Sequence, residues 1–139
     1  NPHEIRSFTE SRIAVDPFVI RLVIERASDE QISALGRVVG LLNDCGDAEK
    51  ACALVTEFYQ ELYLLSDNSI FSLMYKTTVE VQKGMYMLYF EKNGLSRTKA
   101  TISGIFEALK SRDRAGAQAL SLSAMDSVIH GDCAIIPQK

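Results

Sequence analysis

Apolar residues recur at helical spacing along almost the whole chain. A clear example is the set Ile102, Ile105, Phe106 and Leu109, which falls on one face of a helix because its members are three or four positions apart. No Asn-Gly or Asp-Gly hairpin turn lies between two alternating runs, and Pro17 is the only interior proline. The chain has 139 residues, enough for one domain with a single core. The pattern therefore predicts a single all-α domain.

The first helix is predicted to begin at a capping box, Ser7-x-x-Glu10. Pro17 interrupts this helix, since proline lacks the backbone donor of a continuing helix, and two interpretations remain open. Either Asp16 caps a new helix with Pro17 at its first position, or one helix continues with a kink. In both, residues 18–24 are apolar nearly all round and are expected at the centre of the fold.

Caps, turns and glycines predict the remaining helices. A second capping box, Ser28-x-x-Gln31, begins the next one, and Asn93-Gly94 ends a long helix that follows the turn at 66–68. The tail from Gly131 is expected to be loose. The other helices are predicted at about 47–65, from Ser96 and from Asp113, and the inward residues include Ile32, Leu35, Val38, Val39, Leu42, Ala117, Leu120, Ala124, Met125 and Val128. The expected fold is a bundle of six or seven helices.

Composition and charge exclude several classes of function. A net charge of −3 without clustered cations argues against nucleic-acid binding by this chain alone. No apolar run approaches the roughly 20 residues of a membrane helix. There is no signal segment, so the cytoplasm is expected, and the start Asn1-Pro2-His3 suggests a fragment or a processed chain. Three cysteines without metal-ligand spacing are expected to be reduced thiols: Cys45, Cys52 and Cys133.

The sequence offers little for catalysis. Its two histidines, His3 and His130, lie near the chain ends, so no nucleophile–base pair is indicated. There is no glycine-rich phosphate loop, no His-Glu-x-x-His and no paired-cysteine zinc site. We expect a non-enzymatic helical domain that holds a cavity or a partner.

Three stretches in order resemble a known family. Residues 10–30 carry Arg12, an acidic residue four positions later, a proline and then Ala27-Ser28-Asp29. Phe58-Tyr59 precedes Asn68 by nine residues, and the last motif is Ile105-Phe-Glu-Ala108-Leu109-Lys-Ser-Arg-Asp113. Together they resemble the FadR C-terminal ligand-binding domain, or FCD, of GntR-type transcription regulators, over about residues 10–128.

The resemblance implies an antiparallel bundle of six or seven helices around a ligand cavity. It places this effector-binding and dimerisation domain at residues 10–130, with residues 1–9 as a linker and residues 131–139 as a tail. It also implies a homodimer, and DNA binding only through an N-terminal winged helix-turn-helix domain that this chain lacks.

Many members of the family hold a metal with one Asp and three His. Here the four corresponding positions are Val55, Tyr59, Ile102 and Ala124, so no metal or other cofactor is expected. One interpretation is a metal-free, more apolar cavity that binds a small organic acid or acyl compound. The other is a structural dimerisation domain in which these four side chains fill the pocket.

Arg12 completes the expected site. An inward arginine is costly to bury without an anion, so it either binds a ligand carboxylate or pairs with Asp16 one turn later. The candidate ligand-binding residues are Arg12, Asp16, Val55, Tyr59, Asn68, Ile102 and Ala124.

Overall fold

The computed structural model describes residues 1–138 and confirms the all-α prediction, because none of these residues forms a strand. Eight helical segments appear instead of six or seven, since two of the predicted helices are each divided, at residues 34–35 and at Thr78. The segments are α1 (Pro2–Arg26), α2 (Asp29–Ser33), α3 (Gly36–Asn43), α4 (Ala48–Leu65), α5 (Ser69–Thr77), α6 (Val79–Asn93), α7 (Ser96–Lys110) and α8 (Arg114–Ile129).

Helix α1 begins earlier than predicted and is not interrupted. The Asn1 side chain accepts hydrogen bonds from the backbone of His3 and Glu4, so the proposed box at Ser7 is not the start. Residues 2–9, expected to be a linker, are helical. The helix continues through Pro17, whose carbonyl accepts a hydrogen bond from Gln118 on α8. Of the two interpretations, the single helix is therefore observed, and Asp16 caps nothing.

Helix α1 packs along α8 and also contacts α4 and α6, while α7 lies between α3 and α8. Four apolar residues of α1 are buried, and each stabilises the fold by roughly 1.5–3 kcal/mol: Val19, Ile20, Leu22 and Val23. Phe18 is 45% exposed, so the segment 18–24 is central on one side only.

Most of the predicted helix ends are confirmed. Ser28 and Gln31 form the reciprocal capping box, and Asp47 and Asp113 cap α4 and α8. Gly94 has the positive φ, +74°, that favours glycine after a helix. Two details were wrong. Ser96 is the first residue of α7 rather than its cap, and Leu120, predicted to face inward, is 36% exposed.

The tail was also predicted wrongly, because it packs against the bundle. Ala134 and Ile136 are buried, and their apolar burial holds the segment in place. The Lys92 ammonium donates to the Ala134 carbonyl at 2.6 Å, and the Asn93 amide donates to the Cys133 carbonyl at 2.9 Å. The last residue, Lys139, lies outside the described residues.

Arg112 ties the end of α1 to the α7–α8 connection. Its guanidinium donates to the carbonyl oxygens of Ile24 and Ala27, at 2.6 and 2.9 Å, and to the Asp29 carboxylate. These are carbonyls that the last turn of a helix leaves without intrahelical partners. The cation therefore stabilises a helix end.

In residues 1–138, no helix is both long and apolar enough to span a membrane.

Candidate functional site

Arg12 and Asp16 form an ion pair inside the bundle. They lie one turn apart on α1, and both side chains are buried. The Arg12 Nε donates to both carboxylate oxygens of Asp16, at 2.7 and 2.8 Å. The structure thus shows the internal pairing, one of the two roles predicted for Arg12.

Two further helices supply donors to Asp16. The Tyr63 hydroxyl on α4 donates to Oδ1, and the Ser121 hydroxyl on α8 donates to Oδ2 at 3.1 Å. A buried carboxylate needs such donors because it has left its hydration shell. Asp16 therefore joins α1, α4 and α8 at one point.

The other side of the guanidinium faces α6. Arg12 Nη1 donates to the Gln82 side-chain oxygen at 2.8 Å, and the Gln82 amide donates to the Tyr75 hydroxyl and, at 3.3 Å, to Thr56. Arg12 Nη2 is buried and has no hydrogen-bond partner among the described residues. We call this set the Arg12 network: Arg12, Asp16, Thr56, Tyr63, Tyr75, Gln82 and Ser121.

The Arg12 guanidinium lies over the Tyr59 ring. The distance from Arg12 Cζ to the ring centre is 4.0 Å, well within the range of a cation–π contact. Tyr59 belongs to α4 and is 1% exposed, so this contact is fully desolvated. The stacked ring is the link between the Arg12 network and the cavity described next.

Burial and charge keep the ionisation states of this region fixed. Although burial opposes the charged form, the Asp16 carboxylate raises the pKa of Arg12 well above its usual value. Burial likewise raises the pKa of Tyr59 and Tyr63, so both phenols are neutral at physiological pH. The Arg12 guanidinium therefore stays charged inside the bundle, among neutral phenols.

A small, partly open cavity lies between α4, α6, α7 and α8. Its volume is about 40 Å³, little more than the roughly 30 Å³ that one water molecule occupies in the liquid. Typical ligand pockets are about 300 Å³ or more, so the resting cavity is small. It is lined by Tyr59, Tyr86, Tyr89, Arg97, Thr98, Thr101, Ser123, Ala124, Met125, Ser127 and Val128.

Arg97 is the only charged side chain in that lining. It is exposed and takes part in none of the ion pairs formed within residues 1–138. Hydroxyl groups share the lining, on Thr98 and Thr101 of α7 and on Ser123 and Ser127 of α8. A guanidinium in the same lining as several hydroxyls suits a carboxylate, which accepts hydrogen bonds from both kinds of group.

The structure separates the predicted site residues. Tyr59 and Ala124 line the cavity, but Arg12 does not. Val55 and Ile102 are completely buried in the core and do not reach the cavity either. Asp16 belongs to the Arg12 network. Asn68 is a helix cap, since its side chain accepts from the backbone of Ile70 and Phe71.

Arg97 was missed because it lies outside the three motifs of the family resemblance. One signal was available: Arg97 and Thr101 are one turn apart on α7, and Thr101 directly precedes Ile102, one of the four positions compared with metal ligands. Two polar residues beside that position indicate a polar side of the same cavity.

The residues at the four compared positions do not suit a metal ion. Only the Tyr59 hydroxyl carries a donor atom there, and burial raises the pKa of that phenol, which disfavours the phenolate that would bind a cation. Within residues 1–138 no three His, Cys, Asp or Glu side chains are grouped so as to hold a metal. His130 lies on the surface, where its ring contacts the Asp126 carboxylate at 3.0 Å.

Comparison with known proteins gives one match. A family model described as the FCD domain matches residues 7–127. No curated protein and no solved structure matches the chain.

Proposed function

The chain belongs to the FCD domain family, and from that premise we propose that it is the effector-sensing domain of a GntR-type transcription regulator. The effector is a small organic acid that binds in the cavity between α4, α6, α7 and α8. One observation carries the proposal: Arg97, which forms no ion pair within residues 1–138, shares the lining with the hydroxyl side chains of Thr98, Thr101, Ser123 and Ser127. The acid's carboxylate binds Arg97 and these hydroxyls.

The rest of the lining defines the body of the acid. Tyr59, Tyr86 and Tyr89 present aromatic rings, and Met125 and Val128 add apolar surface. Burying an apolar group there contributes roughly 25 cal/mol per Å². The volume of about 40 Å³ means that any acid beyond a few heavy atoms widens the cavity as it enters.

A second candidate is a structural dimerisation domain with a filled pocket. The complete burial of Val55 and Ile102, together with the small volume, favours it. The two candidates differ in one outcome, since only the sensing domain is stabilised by an added acid.

Thermal unfolding distinguishes them. The protein is melted with acetate, lactate, succinate, benzoate and octanoate, each with matched sodium chloride. At about 100 times its dissociation constant, a bound acid adds about 2.7 kcal/mol to the stability, a shift of several degrees. Arg97→Ala abolishes this shift, while Arg114→Ala, which removes an exposed arginine outside the cavity lining, retains it. A melting temperature unchanged by every acid favours the filled pocket.

The regulator is proposed to be a cytoplasmic homodimer that binds DNA through a winged helix-turn-helix domain outside this chain. Exposed apolar side chains on α4 and α5, Leu64, Ile70 and Leu73, support a contact between copies. Sedimentation at tens of micromolar is expected to show a dimer, and Ile70→Glu to shift it toward monomer. A monomeric wild-type chain contradicts this part of the proposal.

A further inference from the structure

Tyr59 lies in contact with both the cavity and Arg12. It lines the cavity, and its ring lies 4.0 Å from the Arg12 guanidinium carbon. We propose that the Tyr59–Arg12 stack couples occupancy of the cavity to the packing of α1. This rests on the proposed function only in taking the cavity as the effector site.

The first step is the displacement of Tyr59. A cavity of about 40 Å³ does not accept an organic acid unless a lining side chain moves. Tyr89 is held by its hydroxyl contact with Ser127 at 3.1 Å, whereas the Tyr59 ring lies between the cavity and the Arg12 guanidinium. Tyr59 is fully buried and its ring contacts the Arg12 guanidinium, so a displacement of the ring also displaces the guanidinium.

The second step is a change of hydrogen bonds at Arg12. In the structure, Nε is the Arg12 nitrogen that donates to both carboxylate oxygens of Asp16, and Nη2 of the same guanidinium has no hydrogen-bond partner within residues 1–138. A small rotation gives the alternative fork, in which Nε and Nη2 each donate to one oxygen. The two arrangements are discrete, as a switching element requires, and the second no longer leaves a buried donor unpaired.

The third step is transmission to other helices. A rotation that brings Nη2 to Asp16 also moves Nη1, which donates to Gln82 on α6. Gln82 in turn binds Tyr75 on α5, and Asp16 is held by Ser121 on α8. Because the contacts of Arg12 and Asp16 hold α1 against α6 and α8, a new arrangement of Arg12 alters the packing of α1.

A variant that fills the cavity tests the coupling without any effector. Ala124→Val adds two methyl groups to the lining, and Ala119→Val makes the same change on an exposed position of α8. NMR spectra of the whole chain then report the Arg12 Nε–H and Gln82 side-chain amide resonances. We expect both to shift in Ala124→Val and to stay in place in Ala119→Val.

Hydrogen exchange gives a second measurement. Amides of α1 around Arg12 are expected to change their exchange rate by about tenfold in Ala124→Val only. The Ala124→Val change is then combined with each of two Tyr59 variants. Combined with Tyr59→Phe, which keeps the stacked ring, it still alters the exchange of the α1 amides. Combined with Tyr59→Met, which removes the ring, it no longer does so. Changes confined to α7 and α8 in Ala124→Val, or an undiminished response in Tyr59→Met, overturn the coupling. Because these experiments use no acid, that result does not contradict the proposed effector site. Conversely, a failure to bind any acid does not contradict the coupling.

Discussion

Arg12 and Asp16 form their ion pair where both side chains are almost completely buried. Exposure is 3% for Arg12 and 1% for Asp16, and every carboxylate oxygen has at least two donors. Such a pair contributes little net stability compared with an apolar pair, but removal of one partner leaves a buried charge without compensation.

Asp16→Ala is therefore expected to lower the free energy of unfolding by about 3–5 kcal/mol, because the Arg12 charge stays buried. Urea denaturation measures the change. The control is Glu25→Ala, which breaks the exposed pair with Arg21 and costs less than about 1 kcal/mol. Replacing both partners, as Arg12→Met with Asp16→Leu, restores most of the stability. Equal losses in Asp16→Ala and Glu25→Ala contradict the account.

Alkaline pH is expected to destabilise the fold. Burial raises the pKa of four tyrosines, Tyr59, Tyr63, Tyr75 and Tyr86, whereas in the unfolded chain tyrosine ionises near pH 10. Their contribution is therefore complete below pH 10 and is lost as the pH rises toward the folded-state pKa. Each tyrosine contributes a slope of up to about 1.4 kcal/mol per pH unit above pH 10.

Urea denaturation between pH 8 and pH 11 measures this slope. Tyr86→Phe removes one ionisable group but keeps the ring, so its stability falls less steeply above pH 10 than that of the parent. A free energy of unfolding that stays constant through pH 11 would falsify the burial argument.

Arg112→Ala is expected to destabilise the protein by about 2 kcal/mol, since the carbonyls of Ile24 and Ala27 lose charged donors. The positive φ at this position, 56°, disfavours alanine and arginine about equally. The substitution therefore measures the loss of the side-chain contacts alone. Arg114→Ala, two residues later, is the control and changes the stability by less than about 0.5 kcal/mol. Equal stability of the two variants contradicts the capping role.

No transition metal is expected to bind in the cavity. Val55, Ile102 and Ala124 have no side-chain donor atoms, and a neutral Tyr59 phenol is a poor ligand. Elemental analysis of the purified protein, with melts in zinc, nickel and manganese, checks this. Stoichiometric metal that survives dialysis contradicts it.

The helices were predictable where local chemistry determines them. Ser28 with Gln31 and the turn at Gly94 act within a few residues, so the sequence alone locates them. The end of the bundle near Gly131 was not predictable in this way. This segment packs against the bundle because Ile136 is buried and because Lys92 binds the Ala134 carbonyl. Lys92 and Ala134 are far apart in sequence, so no local pattern indicates their contact.

The site shows the same division. The spacing of Arg12 and Asp16 allowed their pairing to be predicted, because one helix turn sets their distance. Gln82, Tyr75 and Ser121 come to Arg12 and Asp16 only through the packing of α5, α6 and α8. The same packing, rather than any motif, brings Arg97 to the lining that includes Tyr59.

The central claim is that an organic acid binds beside Arg97. The most direct measurement is an NMR titration of the whole chain with benzoate and lactate, with chloride at equal ionic strength as the control. The account predicts saturable shifts centred on Tyr89, Thr98, Thr101 and Ser127, absent with chloride and lost in Arg97→Ala. Shifts that never saturate, that spread over exposed lysines and arginines, or that persist in Arg97→Ala contradict it.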